Sequence, residues 1–342
     1  MTMVITIPAP SRATNGPRPI NLNKDIPQVL ELLQIAFGES LDAEGRRALQ
    51  GYYAPQSQMQ PAILWRLNPA ASRLSQGYVW EENGRVVGNT TLLTTRLHGR
   101  FLIVNVAVHP DYRRRGIARL LMQAVTDNVR QRGGREILLQ VDHNNSHALD
   151  LYTDLGYANL GAMTTWTAVA GRVHALENPS TIPIRELRAR EWHQAYDLDR
   201  LALSPDLNWP EPILPDTYRL GFWRRVANFT NARTAETWVA ARHERLVGMA
   251  SIWSEWGRAH QLLLRVQPNW MGELERPLLA KALRRLPYLP RRNIRIDHPA
   301  DDQLTNDLLR EANFKPQRTL IHMRLDLRPT PANGEIRSHK NG

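Results

Sequence analysis

The stretch VHPDYRRRGIARLLMQAV, residues 108–125, places three arginines and a glycine directly before an apolar helical stripe. Its apolar residues recur at the i, i+3, i+4, i+7 and i+8 spacing of an amphipathic helix: Ile117, Leu120, Leu121, Ala124 and Val125. A helix N-terminus has unpaired backbone N–H groups and a partial positive charge, so it suits an anion. By itself the stretch fits either a solvated basic turn or a loop that holds phosphate.

The segments around this stretch predict three antiparallel strands and then the order β-α-β-α-β. That order indicates an α+β domain with a mixed, mostly antiparallel central sheet flanked by helices. A variable region is expected at 38–75. The predicted helices cover 23–37, a segment that begins near Arg115, and 146–156; the predicted strands cover 77–82, 86–97, 101–108, 136–142 and 157–169.

Several segments recur about 160 residues later in the chain, which indicates a tandem duplication. YVWEENGRVVGNTT (78–91) resembles WVAARHERLVGMAS (238–251), and residues 108–125 align with VQPNWMGELERPLLAKAL (266–283). We therefore expect a leader at 1–17, a first domain at 18–170, a linker at 171–183, a second domain at 184–328 and a flexible tail at 329–342.

The composition of the chain excludes several kinds of functional site. The chain has 342 residues, a net charge of +11 and no cysteine, which excludes disulfides, thiolate metal sites and cysteine nucleophiles. No metal site is expected. The basic residues are dispersed, so nucleic-acid binding is a less favoured alternative. No segment has the length of a membrane span, and the N-terminus lacks the pattern of a signal peptide, so we expect a cytoplasmic protein without a membrane partner.

Two segments together resemble the GNAT superfamily of acetyl-CoA-dependent N-acetyltransferases. VAVHPDYRRRGIA (106–118) is similar to the family's Arg/Gln-x-x-Gly-x-Gly/Ala signature, and NNSHALDLYTDLGY (144–157) is similar to its second cofactor segment. The resemblance covers residues 18–168 and extends to 182–327 at the level of the fold. It implies two tandem GNAT-like domains.

The resemblance also implies which residues bind acetyl-CoA. The backbone of Val106, Ala107 and Val108 would pair with the pantetheine arm, as a peptide adds to a strand edge. Arg113 and the backbone amides of the following loop and first helical turn would hold the pyrophosphate: Arg114, Arg115, Gly116, Ile117, Ala118 and Arg119.

The resemblance of the second segment implies roles for two further residues. The Asn145 side chain would hydrogen-bond the pantetheine or the phosphate end of the cofactor, and it could also cap a helix. Tyr152 would protonate the departing thiolate, because a phenol is protonated at neutral pH. By helix spacing alone, Tyr152 could instead pack in the core.

No general base is assigned. Asn105, the polar residue of the strand FLIVNV, cannot act as a base. The remaining candidates are more commonly solvated strand ends or turn residues: Glu81, Glu82, Asp142 and His143. His109 precedes a proline and is expected to be a turn residue.

The second copy keeps the pattern of the fold and loses these residues. MGELER (271–276) replaces RRRGIA (113–118), so Glu273 and Glu275 bring negative charge to the loop. Leu309 stands where the first copy has Tyr152 and has no proton to give. We therefore expect an active first domain and a degenerate second domain.

The expected function is acetyl transfer from acetyl-CoA to an amine, by direct attack in a ternary complex. The acceptor loops contain no motif that identifies the amine. A non-catalytic acyl-CoA sensor is the main alternative function. Because the duplication can occupy a dimer surface, we expect a monomer, with a dimer as the alternative.

Overall fold

The computed structural model describes residues 15–21, 24–38, 77–169, 171–178, 180–208, 213, 215–219 and 234–328. These residues form two compact units. The first contains the described residues within Met1–Leu139, Leu155–Tyr157 and Arg324–Gly342, and the second contains those within Gln140–Asp154 and Ala158–Met323. The predicted tail and nearly all of the variable region at 38–75 lie outside the described residues.

The first unit is a sheet with two helices. Its strand order is β1-β2-β3-β4-β5, antiparallel up to β4, with β4 and β5 parallel. The strands are β1 (Gly16–Pro19), β2 (Tyr78–Glu82), β3 (Arg85–Thr94), β4 (Arg100–Val108) and the start of β5 (Glu136–Asp142). The helices are α1 (Ile26–Phe37) and α2 (Ile117–Gln131). The predicted mixed sheet is confirmed.

Two local boundaries differ from the sequence prediction. Strand β1 begins at Gly16 and pairs with β2, so Gly16 and Pro17 belong to the sheet and not to a leader. Two prolines are tolerated there because β1 is an edge strand. Helix α2 begins at Ile117, two residues after Arg115, because Gly116 has a left-handed backbone with φ 77°.

Apolar side chains fix both helices on the sheet of the first unit. Helix α1 contributes Val29, Leu32 and Leu33 to a cluster with Val79, Val86 and Ala107. Helix α2 contributes Ile117 and Leu121 to a cluster with Val87. Burial of Ile117, Leu121 and Val125 confirms most of the predicted stripe, but the prediction is wrong for Leu120, which is 42% exposed. Met122 is fully buried instead, because the face of α2 that packs on the sheet is rotated away from Leu120.

The second unit contains most of the second copy and the last part of the first. After the end of β5 its strand order is β12-β6-β11-β10-β9-β8-β7. The strands are β6 (Ala158–Ala168), β7 (Ile184–Glu186), β8 (Thr234–Arg242), β9 (Arg245–Ser254), β10 (His260–Val266), β11 (Ile294–Pro299) and β12 (Lys315–Asp326). The helices are α3 (Ser146–Asp154), α4 (Trp192–Ala202), α5 (Glu275–Leu283) and α6 (Gln303–Glu311).

The two copies exchange their last strands. Strand β6 of the first copy pairs with β11 of the second copy, from Ala168 with Ile294 to Met163 with Pro299. Strand β12 of the second copy lies between β5 and β6 of the first, and the His143 N–H donates to the Thr319 carbonyl at 3.1 Å. The domain limits that the sequence repeat predicts stay a prediction. The two compact units are defined by contacts between residues, so their limits need not match those of the repeat.

None of the described helices is long and apolar enough to cross a membrane.

Candidate active site

The loop between β4 and α2 exposes backbone N–H groups. Arg114 and Gly116 both have left-handed backbones, with φ 62° and 77°. Such a conformation is uncommon for a residue with a Cβ, such as Arg114. Among the described residues, the backbone N–H groups from Arg114 to Ala118 have no hydrogen-bond acceptor. The loop therefore presents several donors at the positive end of a helix.

The three arginine side chains are exposed beside these donors. Arg113 Nε donates to the carbonyl of Val108 at 3.2 Å. Arg115 Nη1 lies 3.4 Å from Glu82 Oε1, and its guanidinium lies over the Tyr112 ring at 4.8 Å. Arg114 has no side-chain partner among the described residues. Backbone N–H groups and guanidinium groups together form the donor set that suits a diphosphate, so this loop fits the pyrophosphate of acetyl-CoA.

Strand β4 separates from β5 before it reaches this loop. The two strands pair only from Arg100–Leu102 to Glu136–Leu138 within the described residues. Val106, Ala107 and Val108 lie beyond this paired part, so their backbone has no ladder partner on that side among the described residues. On the other side, Ala107 and Val108 pair with β3. This separation provides the free strand edge that the predicted pantetheine contact requires.

A bulge at Asn105 accompanies the separation. Asn105 has φ 56°, and the register between β3 and β4 shifts beside it. The fully buried Asn89 donates from Nδ2 to the Asn105 carbonyl at 2.8 Å and so holds the bulge. The sequence analysis missed Asn89. Its signal was an asparagine directly after the apolar start of the predicted strand, in VVGNTT.

Tyr152 lies on α3 and Asn145 directly before it, both in the second unit, whereas Val106 to Arg119 lie together in the first. Asn145 Oδ1 accepts from the Ala148 N–H at 3.1 Å, so Asn145 caps α3. Its Nδ2 has no partner among the described residues. Tyr152 is 6% exposed, and burial raises the pKa of its phenol to about 12. The phenol is therefore protonated at neutral pH, as a proton donor must be.

The candidate bases have local partners. Glu81 accepts from Arg18 Nε at 2.6 Å, and Glu82 faces Arg115. Asp142 Oδ1 accepts from the Asn144 N–H at 2.9 Å, and His143 Nδ1 lies 3.3 Å from the Thr319 carbonyl. These bonds give each side chain a structural role in its turn or strand, and no general base is assigned.

His109 also has a local role. Its Nδ1 accepts from the Asp111 N–H at 3.4 Å, at the start of the short 3₁₀ turn Pro110–Tyr112. This agrees with the expectation of a turn residue.

The corresponding loop of the second copy holds its own carboxylate. Gly272, aligned with Arg114, has φ 92°, and its N–H donates to Glu275 Oε2 at 2.8 Å. Burial raises the pKa of Glu275, and hydrogen bonds from the backbone N–H groups of Glu275, Gly272 and Leu274 act against that rise. A buried Leu309 occupies the position of Tyr152. The anion position of this loop is thus filled from within the chain.

Known proteins resemble both the first copy and the whole chain. Residues 31–157 match the family model of the acetyltransferase (GNAT) family. The ribosomal protein bS18-alanine N-acetyltransferase of Escherichia coli (strain K12) is 29% identical over 99 residues, which are 28% of this chain and 66% of that protein. The match thus spans just under two thirds of that relative.

Two solved structures match 92% of this chain at low identity and show its fold. The GCN5-related N-acetyltransferase from Sphaerobacter thermophilus has a TM-score of 0.59 at 15% identity and is covered over 96% of its length. A tandem GNAT protein from the clavulanic acid biosynthesis pathway has a TM-score of 0.51 at 17% identity and is covered over 99%. Residues 31–157 thus match the acetyltransferase (GNAT) family, and the chain as a whole has the fold of a tandem GNAT protein.

Proposed function

We propose that this protein is an acetyl-CoA-dependent N-acetyltransferase, which transfers the acetyl group to an amine by direct attack in a ternary complex. The observation that carries the proposal is the loop from Arg113 to Ala118. It combines exposed guanidinium groups with backbone N–H groups that have no acceptor among the described residues, at the start of α2. Acetyl-CoA supplies the activated thioester.

The residues of the first copy bind and orient this co-substrate. Arg113, Arg114 and Arg115, with the N–H groups from Arg114 to Arg119, hold its pyrophosphate. The free edge of β4 from Val106 to Val108 pairs with its pantetheine arm, and Asn145 Nδ2 donates a hydrogen bond to it. These contacts involve parts of acetyl-CoA that are the same whichever amine reacts. They therefore set the affinity and orientation of acetyl-CoA and do not select the amine.

Tyr152 supplies the proton that completes the transfer. The amine nitrogen attacks the carbonyl carbon, the carbon–sulfur bond breaks, and the Tyr152 O–H protonates the departing sulfur. The nitrogen loses a proton to solvent as the amide forms, and a proton from solvent restores the Tyr152 phenol. An acceptor that reaches the site as the neutral amine needs no protein base before it attacks. We further propose that the enzyme acts in the cytoplasm as a monomer.

Release of free CoA across a panel of amines tests the proposal. The panel contains small amines, polyamines, amino acids and a peptide with an amino-terminal alanine, the residue named for the Escherichia coli relative. We expect at least one amine to give release that depends on acetyl-CoA. No release with any amine, together with no CoA binding by calorimetry, would contradict the proposal.

A further inference from the structure

Strand β4 contains one more residue than the part of β3 that it pairs with. Asn89 of β3 pairs with Ala107, and Thr91 pairs with Val104. Two residues of β4 therefore lie opposite one residue of β3, which is a β-bulge. Within the bulge, Asn105 has a left-handed backbone with φ 56°. The pairing of β4 with β3 thus shifts by one residue between the first and the last part of β4.

The bulge determines which backbone groups of β4 point away from β3. Beyond the bulge, the His109 N–H donates to the Val87 carbonyl at 2.9 Å. Hydrogen-bonded pairs alternate along an antiparallel ladder, so Ala107 also directs its N–H and C=O groups to β3. Val106 and Val108 alternate with these residues and direct their groups to the opposite side. That side is the free edge at which the pantetheine arm is proposed to bind.

If the bulge were lost by a slip in register, this direction would be reversed. Before the bulge, the Thr95 N–H donates to the Arg100 carbonyl at 3.3 Å, so every second residue from Arg100 directs its backbone groups to β3. Continued without a shift, this series includes Val106 and Val108. A one-residue slip would therefore pair both valines with β3 and remove their N–H and C=O groups from the free edge.

The side chain of Asn89 links β3 to the extra residue of β4. It is fully buried, and its Nδ2 donates to the Asn105 carbonyl at 2.8 Å and to Thr91 Oγ1 at 3.2 Å. A slip in register would break the bond to Asn105 in the interior, where a lost hydrogen bond is costly. The Asn89 amide therefore favours the shifted pairing over the regular one.

The second copy has neither this asparagine nor this bulge in its described strands. Met249 stands at the position of Asn89, and it pairs with Arg265. The register between β9 and β10 is the same along their whole ladder, so each residue of β9 faces one residue of β10. A strand without the extra residue needs no side chain to hold it, which agrees with the presence of the two features together in one copy.

We propose that Asn89 is a positioning residue for the co-substrate: its amide holds the bulge, and the bulge keeps Val106 and Val108 directed to the pantetheine arm. The inference rests on the proposed function, because it concerns the same co-substrate. Asn89 acts through the backbone of β4 and therefore on one part of the co-substrate. The loop from Arg113 to Ala118, which holds the diphosphate in the proposed function, lies beyond the end of β4.

Calorimetry with two ligands on the full-length chain tests this role. CoA has both the pantetheine arm and the diphosphate, whereas adenosine 3′-phosphate 5′-diphosphate has the diphosphate without the arm. Asn89→Met gives the first copy the residue of the second. It should raise the Kd for CoA by about tenfold or more, because hydrogen bonds along the strand edge are lost. The Kd for the arm-less nucleotide should stay unchanged, whereas a general loosening of the fold would raise both.

Thr90→Val is the matched control in the same strand. Thr90 is fully buried beside Asn89, and its hydroxyl has no partner among the described residues. The variant removes a buried polar atom without touching the bond to Asn105, so the Kd for CoA should stay that of the wild type. Equal losses of CoA affinity in Thr90→Val and Asn89→Met would overturn the specific role of Asn89.

Two variants of the exposed Asn105 cover the case in which Asn89→Met does not fold. Asn105→Val disfavours the left-handed backbone, because its side chain is β-branched, whereas Asn105→Gly adopts that backbone freely. We expect Asn105→Val to weaken the binding of CoA more than Asn105→Gly does, and neither to weaken the binding of the arm-less nucleotide. Equal Kd values for CoA in both variants would overturn the role of the bulge and with it that of Asn89.

The wild type separates this inference from the proposed function. If the wild type binds CoA and Asn89→Met binds it equally well, the role of Asn89 is overturned and the proposed function stands. Equal weakening of both ligands in Asn89→Met also overturns the role, because Asn89 would then support the fold as a whole. If calorimetry detects no CoA binding by the wild type, the proposed function and the role of Asn89 fail together.

Discussion

The loop at Arg113–Ala118 and its counterpart at Met271–Arg276 lie between equivalent strands and helices, yet their donors meet different partners. In the first, the N–H groups have no acceptor among the described residues and the arginines are exposed. In the second, the Glu275 carboxylate accepts from the Gly272 N–H. The second loop thus uses an acidic side chain of its own helix to pair a donor whose counterpart, the Arg114 N–H, has no acceptor among the described residues.

The residue before each helix strengthens this difference. Gly116 is exposed and left-handed, whereas its counterpart Leu274 is fully buried with φ −107°. The Leu274 side chain packs against Gly248, where an added Cβ would lie 3.0 Å from its Cδ1. The second loop is therefore anchored in its core, and the first is left open towards solvent.

The largest expected effect concerns Tyr152, the proposed proton donor, whose counterpart Leu309 has no proton to give. Tyr152→Phe should lower kcat by about 10²-fold or more, because general acid catalysis is lost while the ring still packs. The Kd for CoA, measured by calorimetry, should stay unchanged. Tyr157→Phe, a change at another buried tyrosine, is the matched control. Full activity in Tyr152→Phe would remove Tyr152 from the mechanism.

The next effect concerns the arginines that distinguish the loops. Arg114→Ala should raise the Kd for CoA by about tenfold or more, because a charge-assisted hydrogen bond contributes about 1.5–3 kcal/mol. Folding stability should not fall, since the side chain has no protein partner among the described residues. Arg130→Ala, at the other end of α2, is the control. An unchanged Kd in calorimetry would refute the phosphate role of Arg114.

Substitution of the left-handed glycine in each of the two loops compares their backbones directly. Gly116→Ala and Gly272→Ala should each lower the free energy of unfolding by about 1–2 kcal/mol, since both residues are left-handed. Neither added Cβ would meet an atom within 4 Å, so the cost is conformational. Only Gly116→Ala should also weaken CoA binding. A matching loss of CoA affinity in Gly272→Ala would show that both loops bind CoA.

The smallest expected effect is a change in folding stability, and it concerns two residues that cap helices. Asp302 caps α6, and Asn145 caps α3. The pKa of Asp302 lies at about 2 in the folded protein, below its ordinary value of 3.8. Its stabilising contribution is therefore complete above about pH 4 and is lost as the pH falls towards 2.

Urea unfolding midpoints at pH 5 and pH 2.5 measure this contribution. The midpoint of Asp302→Asn should lie below that of the wild type at pH 5, and the difference should shrink at pH 2.5. Asn145→Ala supplies the uncharged comparison, because its effect should not change with pH. A difference for Asp302→Asn that stays constant would contradict the lowered pKa.

Local patterns in the sequence predicted local structure well. The apolar spacing predicted that Ile117, Leu121 and Val125 are buried but wrongly included Leu120, and the strand at 136–142 was predicted with its observed limits. Replacement of RRRGIA by MGELER predicted negative charge at the second loop. Helical spacing, strand alternation and charge are encoded by neighbouring residues, so they can be read without the partner elements.

Long-range partners could not be predicted in the same way. The sequence predicted a strand at 157–169, which contains β6, but a strand's own residues do not say which edge it joins. The same limit applies to Asn89, whose bond to Asn105 depends on the register between β3 and β4. The bond from Gly272 to Glu275 depends on a left-handed backbone that a sequence position does not specify.

The exchanged strands have a consequence for how such a chain can be shortened. Truncation after residue 170 would delete β11 and β12, so β6 would lose both neighbours and β5 would lose one. Such exposed edges pair readily with other chains and lead to aggregation. The second copy is in this sense an inseparable part of the first copy's architecture. A deletion that spares every residue of the first copy would still remove three of its strand pairings.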